Sequence, residues 1–348
     1  MKILITGNLG YIGPILSRHL KHSNPENYIV GIDSGFFAHC LTGVSYTPDI
    51  YVDEQYYGDV RKINEKFLEG FDAVVHLAAV SNDPMGNKFE AVTDEINHKA
   101  SVALAKKANS AGVKKYVFAS SCSIYGFAEG GPRKETDALN PLTAYAKSKV
   151  ATEVGLQELS AGSDMITTAL RFSTACGMSD RIRLDLVLND FVASALSTGK
   201  IVVLSDGSPW RPLIDVKDMA RAIDWALKRS AQPSKYLAIN IGRNDFNYQV
   251  KQIAEVVAGV IPGTEISINT NALPDKRSYQ VDFSLFKQLA PDYLPLTTLV
   301  QSATEIKEGL QRMQFNDSNF RESQLIRLKV LEKHMADKKI TANLEWIY

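Results

Sequence analysis

Tyr145 and Lys149 stand four residues apart in the stretch Asn140-Pro141-Leu142-Thr143-Ala144-Tyr145-Ala146-Lys147-Ser148-Lys149. On a helix that spacing makes them neighbours on one face. A cationic Lys149 beside the Tyr145 hydroxyl favours phenolate, and a phenol whose ordinary pKa is about 10 then exchanges protons closer to neutrality. Such a pair suits acid–base chemistry on an alcohol or a ketone. Pro141 fits the first turn of the required helix, which is expected to run through Glu153 and beyond. Solvated helices carry the same pair, so its chemistry depends on what the rest of the chain brings beside it. Ser120-Ser121-Cys122-Ser123 is the first candidate neighbour, a hydroxyl-rich stretch directly after the apolar run 115–119. In open α/β sheets reactive groups gather at the carboxyl ends of strands.

The elements that must position these groups read as alternating strands and helices. Residues 2–6 are a short apolar run, Gly7-Asn8-Leu9-Gly10-Tyr11-Ile12-Gly13 follows, and a helical pattern continues to about Leu20. The spacing is G-x-x-G-x-x-G between a strand and a helix, where glycines allow a backbone to approach a pyrophosphate at the helix N-terminus. The next strand, 28–32, ends in Asp33, an acidic side chain suited to the ribose hydroxyls of an adenosine. It would repel a 2′-phosphate, and no Arg or Lys follows in Ser34-Gly35-Phe36-Phe37, so NAD is expected rather than NADP. In Gly58-Asp59-Val60-Arg61, Asp59 could bond the adenine amino group while Val60 packs on the ring. Ala73-Val74-Val75-His76-Leu77-Ala78-Ala79 reads as a buried strand running into small residues, with His76 as a core histidine. A helix is expected over 94–111, with Asn97 in it, and a strand over 165–171.

Composition narrows the function class. The chain has 348 residues, 45% hydrophobic and 22% charged, with Lys+Arg and Asp+Glu equal at 39 each, so no global field favours nucleic acid or an anionic membrane. Cys40, Cys122 and Cys176 lack metal-ligand spacing and read as reduced thiols. With no apolar run long enough to span a bilayer and no signal-peptide pattern, a cytoplasmic protein without a metal is expected.

Taken in order, Thr6-Gly7-x-x-Gly10-x-x-Gly13, Asp33, Gly58-Asp59-Val60, His76-Leu77-Ala78-Ala79, Ser120-Ser121 before Tyr125-Gly126, Tyr145-x-x-x-Lys149 and Leu170-Arg171 resemble the extended short-chain dehydrogenase/reductase family, in its nucleotide-sugar epimerase and dehydratase branch. The resemblance implies an α/β fold, a Rossmann-type doubly wound parallel sheet with a smaller mixed α/β C-terminal substrate lobe. It implies that Tyr145 is the acid/base, that Lys149 binds the nicotinamide ribose and lowers the Tyr145 pKa, and that Ser121 is the catalytic hydroxyl. The cofactor contacts it implies are Gly7, Gly10, Tyr11, Ile12, Gly13, Asp33, Asp59, Val60, Leu77, Ala78, Ala79, Ser120 and Phe172. On the substrate side it implies Ser81, Cys122, Ser123 and Thr174, with Asn189, Arg211 and Arg277 for the diphosphate of a nucleotide-diphosphate sugar.

Departures from the family pattern narrow the reaction. In the 4,6-dehydratases an Asp-Glu pair follows the catalytic Thr and eliminates water; here Cys122 and Ser123 stand in those places. The 3,5-epimerising branch has its Cys two residues before the Tyr of the Tyr-Gly pair, where this chain has Ser123. Cys122, one residue earlier, is either a sugar-carbon acid or a small packing residue. Phe172-Ser173-Thr174 replaces the family's Tyr-Phe-Asn, and Pro212 and Asp215 replace its usual Asp and His, which leaves Asp215 as a helix N-cap. The expected activity is an NAD-dependent nucleotide-sugar epimerase. A keto-deoxysugar reductase, a 4,6-dehydratase and a non-catalytic NAD-binding regulator are the alternatives.

The expected division is 1–174 with about 213–242 for the NAD domain, and 175–212 with 243–348 for the substrate lobe. Apolar residues at helical spacing predict helices over Arg181–Leu196, 248–261, 298–312 and about 319–336. The apolar stripe of the last must cover its own lobe or a partner subunit. A homodimer through helices at about 94–111 and 141–161 is expected from the resemblance.

Overall fold

Runs of Ile, Val and Ala alternate between two faces, and this periodicity builds a parallel sheet covered on both sides. The computed structural model describes residues 1–128, 130–272 and 278–347. Its first six strands are β1 (Lys2–Thr6), β2 (Tyr28–Asp33), β3 (Glu54–Tyr57), β4 (Ala73–His76), β5 (Lys115–Ser121) and β6 (Ile166–Phe172). After the short β7 (Thr174–Cys176), β8 (Lys200–Val203) and β9 (Trp210–Asp215), β10 (Tyr236–Ile241) returns to the main sheet. The order is β10-β6-β5-β4-β1-β2-β3, and every pairing is parallel. Strand order reverses between β1 and β4, which leaves a crevice beyond their carboxyl ends.

On one face Ile3, Ile5, Ala73 and Val75 pack with α1 (Gly13–Ser23). On the other, Leu4 and Val74 meet Leu104, Ala108 and Leu156. The helices between these strands are α2 (Asp83–Lys88), α3 (Glu90–Thr93), α4 (Ser101–Ser110) and α5 (Ala144–Ser160). Thr143 caps α5 by accepting the Ala146 N–H, so Pro141 lies before the helix rather than in its first turn. The helix expected over 94–111 opens as a π-helix, Asp94–Ala100, before α4. The wider turn accompanies a buried Asn97, whose amide bonds both the N–H and the C=O of Val80.

The smaller lobe carries β7 and β9 with β11 (Asn247–Gln249), and a parallel pair of β8 with β12 (Glu265–Ile268). Its core lies among α6 (Val187–Thr198), α8 (Val250–Val260) and α10 (Leu299–Arg312). The remaining helices are α7 (Val216–Lys228), capped by Asp215 as expected, α9 (Ser284–Leu289) and α11 (Arg327–Ala336). Two helical spans are shorter than their apolar spacing predicts. Residues 181–186 precede α6 without helix, because Arg181 and Arg183 are drawn to Asp49 and Asp185. Only Arg327–Ala336 of the expected 319–336 helix is α-helical, with a separate 3-10 turn at Phe320–Glu322.

The stripe of α11 packs within the chain. Leu331, Ile340 and Leu344 pack on Val80, Met85, Phe89 and Val92, beside the crevice of the large sheet. Residues 327–347 also reach the Arg181 and Ile182 carbonyls through Arg327. Among the described residues no helix is long and apolar enough to cross a membrane.

Candidate active site

A cavity of about 1040 Å3 occupies the crevice. At one end the chain leaves β1 through a turn that excludes side chains. Gly7 has φ of 76°, and a Cβ there would lie 2.6 Å from the Ala78 nitrogen. Among the described residues no side chain caps α1, so its first N–H groups point outward toward the turn. Gly7, Gly10, Tyr11 and Ile12 line the cavity. Gly13 does not: a Cβ there would sit 1.9 Å from the Asn8 carbonyl oxygen, so this glycine serves the packing of the turn on its own helix.

Asp33 ends β2 half-buried at the same wall. Its Oδ2 accepts the Leu9 N–H at 3.1 Å and its Oδ1 the Gly35 N–H at 2.7 Å. Burial pushes its pKa up, against these two bonds and the charge of Arg181. Each oxygen keeps a lone pair for a ribose hydroxyl. Asp59 and Val60 line the cavity nearby, and Asp59 is gripped by the Arg61 guanidinium, Nε to Oδ1 at 3.0 Å and to Oδ2 at 2.9 Å. Leu77, Ala78, Ala79, Ser120 and Phe172 also line the cavity. The side-chain-free cradle and an acidic strand end fit a dinucleotide without a 2′-phosphate.

At the other end β5 delivers Ser121 and α5 delivers Tyr145 and Lys149. Ser121 and Tyr145 both line the cavity here. Lys149 is buried, its Nζ donating to the Ala119 carbonyl at 2.7 Å and lying 5.5 Å from the Tyr145 ring centroid. Enclosure of the phenol pushes the Tyr145 pKa up to about 12, Asp83 adds to this, and Ser121 and Arg183 oppose it. Burial brings Lys149 down to about 7, with Glu153 opposing. Lys149 is turned to a backbone carbonyl, and the Arg183 charge works against the upward shift of Tyr145.

Lys149 should leave a pH signature. Its folded pKa, about 7, lies below its ordinary 10.5, so the unfolded chain holds the extra proton between these values. Stability then rises with pH across that window. Lys149→Met is expected to remove this rise and to stabilise the cofactor-free protein below pH 7 by about 2–4 kcal/mol. Urea unfolding of both proteins near the two ends of the window measures it; parallel pH profiles would contradict it.

Arg183 is the principal residue that spacing failed to mark. It is buried, its Nη1 donates to the Ser81 hydroxyl at 3.0 Å, and it is paired with Asp185 at 2.8 Å. Both line the cavity with Ser81, Asp83, Ser123, Thr174 and Arg211. Two expected substrate contacts point elsewhere. Cys122 is fully buried, and its thiol donates to the Arg171 carbonyl at 3.0 Å, with burial pushing its pKa up; it is a packing residue. Asn189 is also fully buried. It accepts the Gly177 N–H at 3.1 Å and donates to the Arg183 carbonyl at 2.8 Å, and so holds the backbone that carries Arg183. Arg277 lies outside the described residues. His76 is a core histidine as expected, bonded to Thr6 and Ser101 at 2.7 Å each and held neutral by burial, its pKa about 3. Among the described residues no group of side chains could hold a metal ion.

A UDP-glucose 4-epimerase of Lacticaseibacillus casei is 30% identical over 287 residues, covering 76% of this chain and 84% of its own. One from Lactobacillus helveticus is 28% identical over 288 residues, 76% and 84% of the two chains. Among solved structures, MoeE5 in complex with UDP-glucuronic acid and NAD superposes with a TM-score of 0.76 at 25% identity, over 90% of this chain and 99% of that one. The hexosamine 5,6-dehydratase TunA has the same fold, with a TM-score of 0.75 at 23% identity over 91% of this chain and 99% of its own. Residues 3–242 match the NAD dependent epimerase/dehydratase family, and the chain belongs to that family, with NAD as its cofactor.

Proposed function

We propose that the chain is a nucleotide-sugar epimerase that inverts a sugar carbon through a transient keto-sugar, with a UDP-hexose as the first substrate class to test. Ser121 and Tyr145 lining one cavity, with Cys122 turned into the core, carry this reading. Bound NAD supplies a reversible hydride acceptor. The protein's own part is the proton. Tyr145 Oη takes it from the sugar hydroxyl and returns it to the alkoxide oxygen formed on re-reduction, while Ser121 holds that oxygen in place. Arg183 favours the phenolate at the moment of transfer.

Elimination of water would need a free carboxyl pair at positions 122 and 123, which the sequence lacks. The carboxylates at this end are engaged: Asp83 accepts the Thr143 hydroxyl at 2.7 Å, and Asp185 holds Arg183 and accepts the Asn82 amide at 2.6 Å. The two UDP-glucose 4-epimerases above support the same reading and suggest the base. Arg211, at the cavity wall, suits the substrate diphosphate as a planar cation. The reading is tested by incubating the purified protein with UDP-, dTDP-, GDP- and CDP-hexoses and identifying products by NMR. Interconversion of two epimers is expected; a product lacking water, or net consumption of reduced cofactor, would contradict it.

A further inference from the structure

The family match ends at residue 242, yet the last twenty residues of the described chain return to the cofactor cavity. After α11 the chain turns back on itself, with Thr341 N–H to the Glu345 carbonyl at 2.8 Å and Ile347 N–H to the Lys339 carbonyl at 2.9 Å. This strap is fixed to the loops that carry Asp33 and Asp59. Trp346 Nε1 donates to the Ser34 carbonyl at 2.6 Å, and its ring lies 5.2 Å from that of Phe36. His334 Nε2 bonds the Phe36 carbonyl at 3.0 Å. Arg61, which grips Asp59, also donates to the carbonyls of Asn343 at 3.0 Å and Leu344 at 3.2 Å. Farther back, Arg327 donates to the Arg181 carbonyl at 2.7 Å, and Lys88 pairs with Glu332. Arg327, Leu331 and Leu344 line the same cavity as Asp33, Phe36, Asp59 and Val60.

We propose that the C-terminal strap, residues 327–347, is an additional wall of the NAD site: Leu331 and Leu344 form an apolar face against the adenosine half, and the strap must lift before the cofactor leaves. Two features join here. Trp346 and His334 bond carbonyls of the segment after Asp33, and Arg61, beside Asp59, bonds carbonyls of the strap, so the strap is tied to both adenosine-side acids. The buried leucines exclude water from the side of the cavity that an adenine would occupy. A cofactor that stays bound through many turnovers is what a reaction without net redox requires, but the inference concerns NAD alone and stands apart from the choice of sugar.

The test uses Leu344→Ala/Trp346→Ala in the full chain, neither position being in the acid–base centre. Loaded protein is diluted into excess NAD after charging with NADH, and the loss of bound NADH fluorescence gives the dissociation rate. Dissociation at least about tenfold faster than wild type is expected. NAD retained after gel filtration should fall. A chain ending at Ala336 gives a second reading wherever it unfolds cooperatively, and there the rate should rise further. A rate within about twofold of wild type in the folded double variant overturns the proposal.

Discussion

Tyr145→Phe is expected to lower kcat about 10³-fold while leaving the bound NAD and the melting temperature unchanged. The substitution removes one oxygen. The ring keeps its place between the cavity and Lys149, whose Nζ lies 5.5 Å from the ring centroid. What is lost is the phenolic oxygen that takes the proton from the sugar alcohol in the proposed reaction. Because the interaction forms in the transition state, kcat and kcat/KM should fall together, with KM little altered. Ser121→Ala is expected to follow the same pattern with a smaller loss. A Tyr145→Phe enzyme within about tenfold of wild type would place the proton transfer on another group.

Arg171→Ala is expected to destabilise the protein by about 3–5 kcal/mol. Arg171 and Glu153 form a buried ion pair behind the catalytic strand end, Nη2 to Oε2 at 2.7 Å, with side chains only 7% and 6% exposed. Nε adds bonds of 3.1 Å to both Glu153 oxygens, Nη1 donates to the Tyr125 hydroxyl at 3.0 Å, and the Ser120 hydroxyl donates to Glu153 Oε1 at 2.5 Å. Removing the arginine leaves a carboxylate stranded in the core, which costs more than the pair contributes when whole. Replacing both partners together, as Arg171→Met/Glu153→Leu, should recover most of the loss. Urea unfolding of the single and double variants measures the difference; a single variant no less stable than the double would contradict it. Glu153 is also the group that opposes the loss of the Lys149 charge, so the ion pair joins the fold to the chemistry.

The parts of the site legible in the sequence are those set by local geometry. The Gly7 turn announces itself because only glycine allows its φ and its approach to Ala78. Tyr145 and Lys149 are legible because helical spacing alone brings them together, and Asp33 because a strand end fixes where it points. Residues placed by tertiary contacts were not. Arg183 lies in a stretch whose apolar spacing reads as helix, and it is held out of helix by its pairing with Asp185 and its bond to Ser81. Asn189 has the right type for a diphosphate ligand, but its amide is spent on Gly177 and Arg183, 12 and 6 residues away along the chain. Asn97 was ambiguous for the same reason: whether an asparagine is exposed depends on what packs over it. The strap was the least legible. An apolar stripe states that a helix is covered and is silent on the surface that covers it.

The central claim is that one carbon of a nucleotide sugar is oxidised and re-reduced within a single site. UDP-hexoses carrying deuterium at C4, incubated with the purified protein and followed by NMR, test it most directly. The account predicts the 4-epimer with deuterium still on C4, no loss of water and no net change in reduced cofactor. Deuterium lost to solvent, a dehydrated product, or stoichiometric oxidation of the sugar would contradict it.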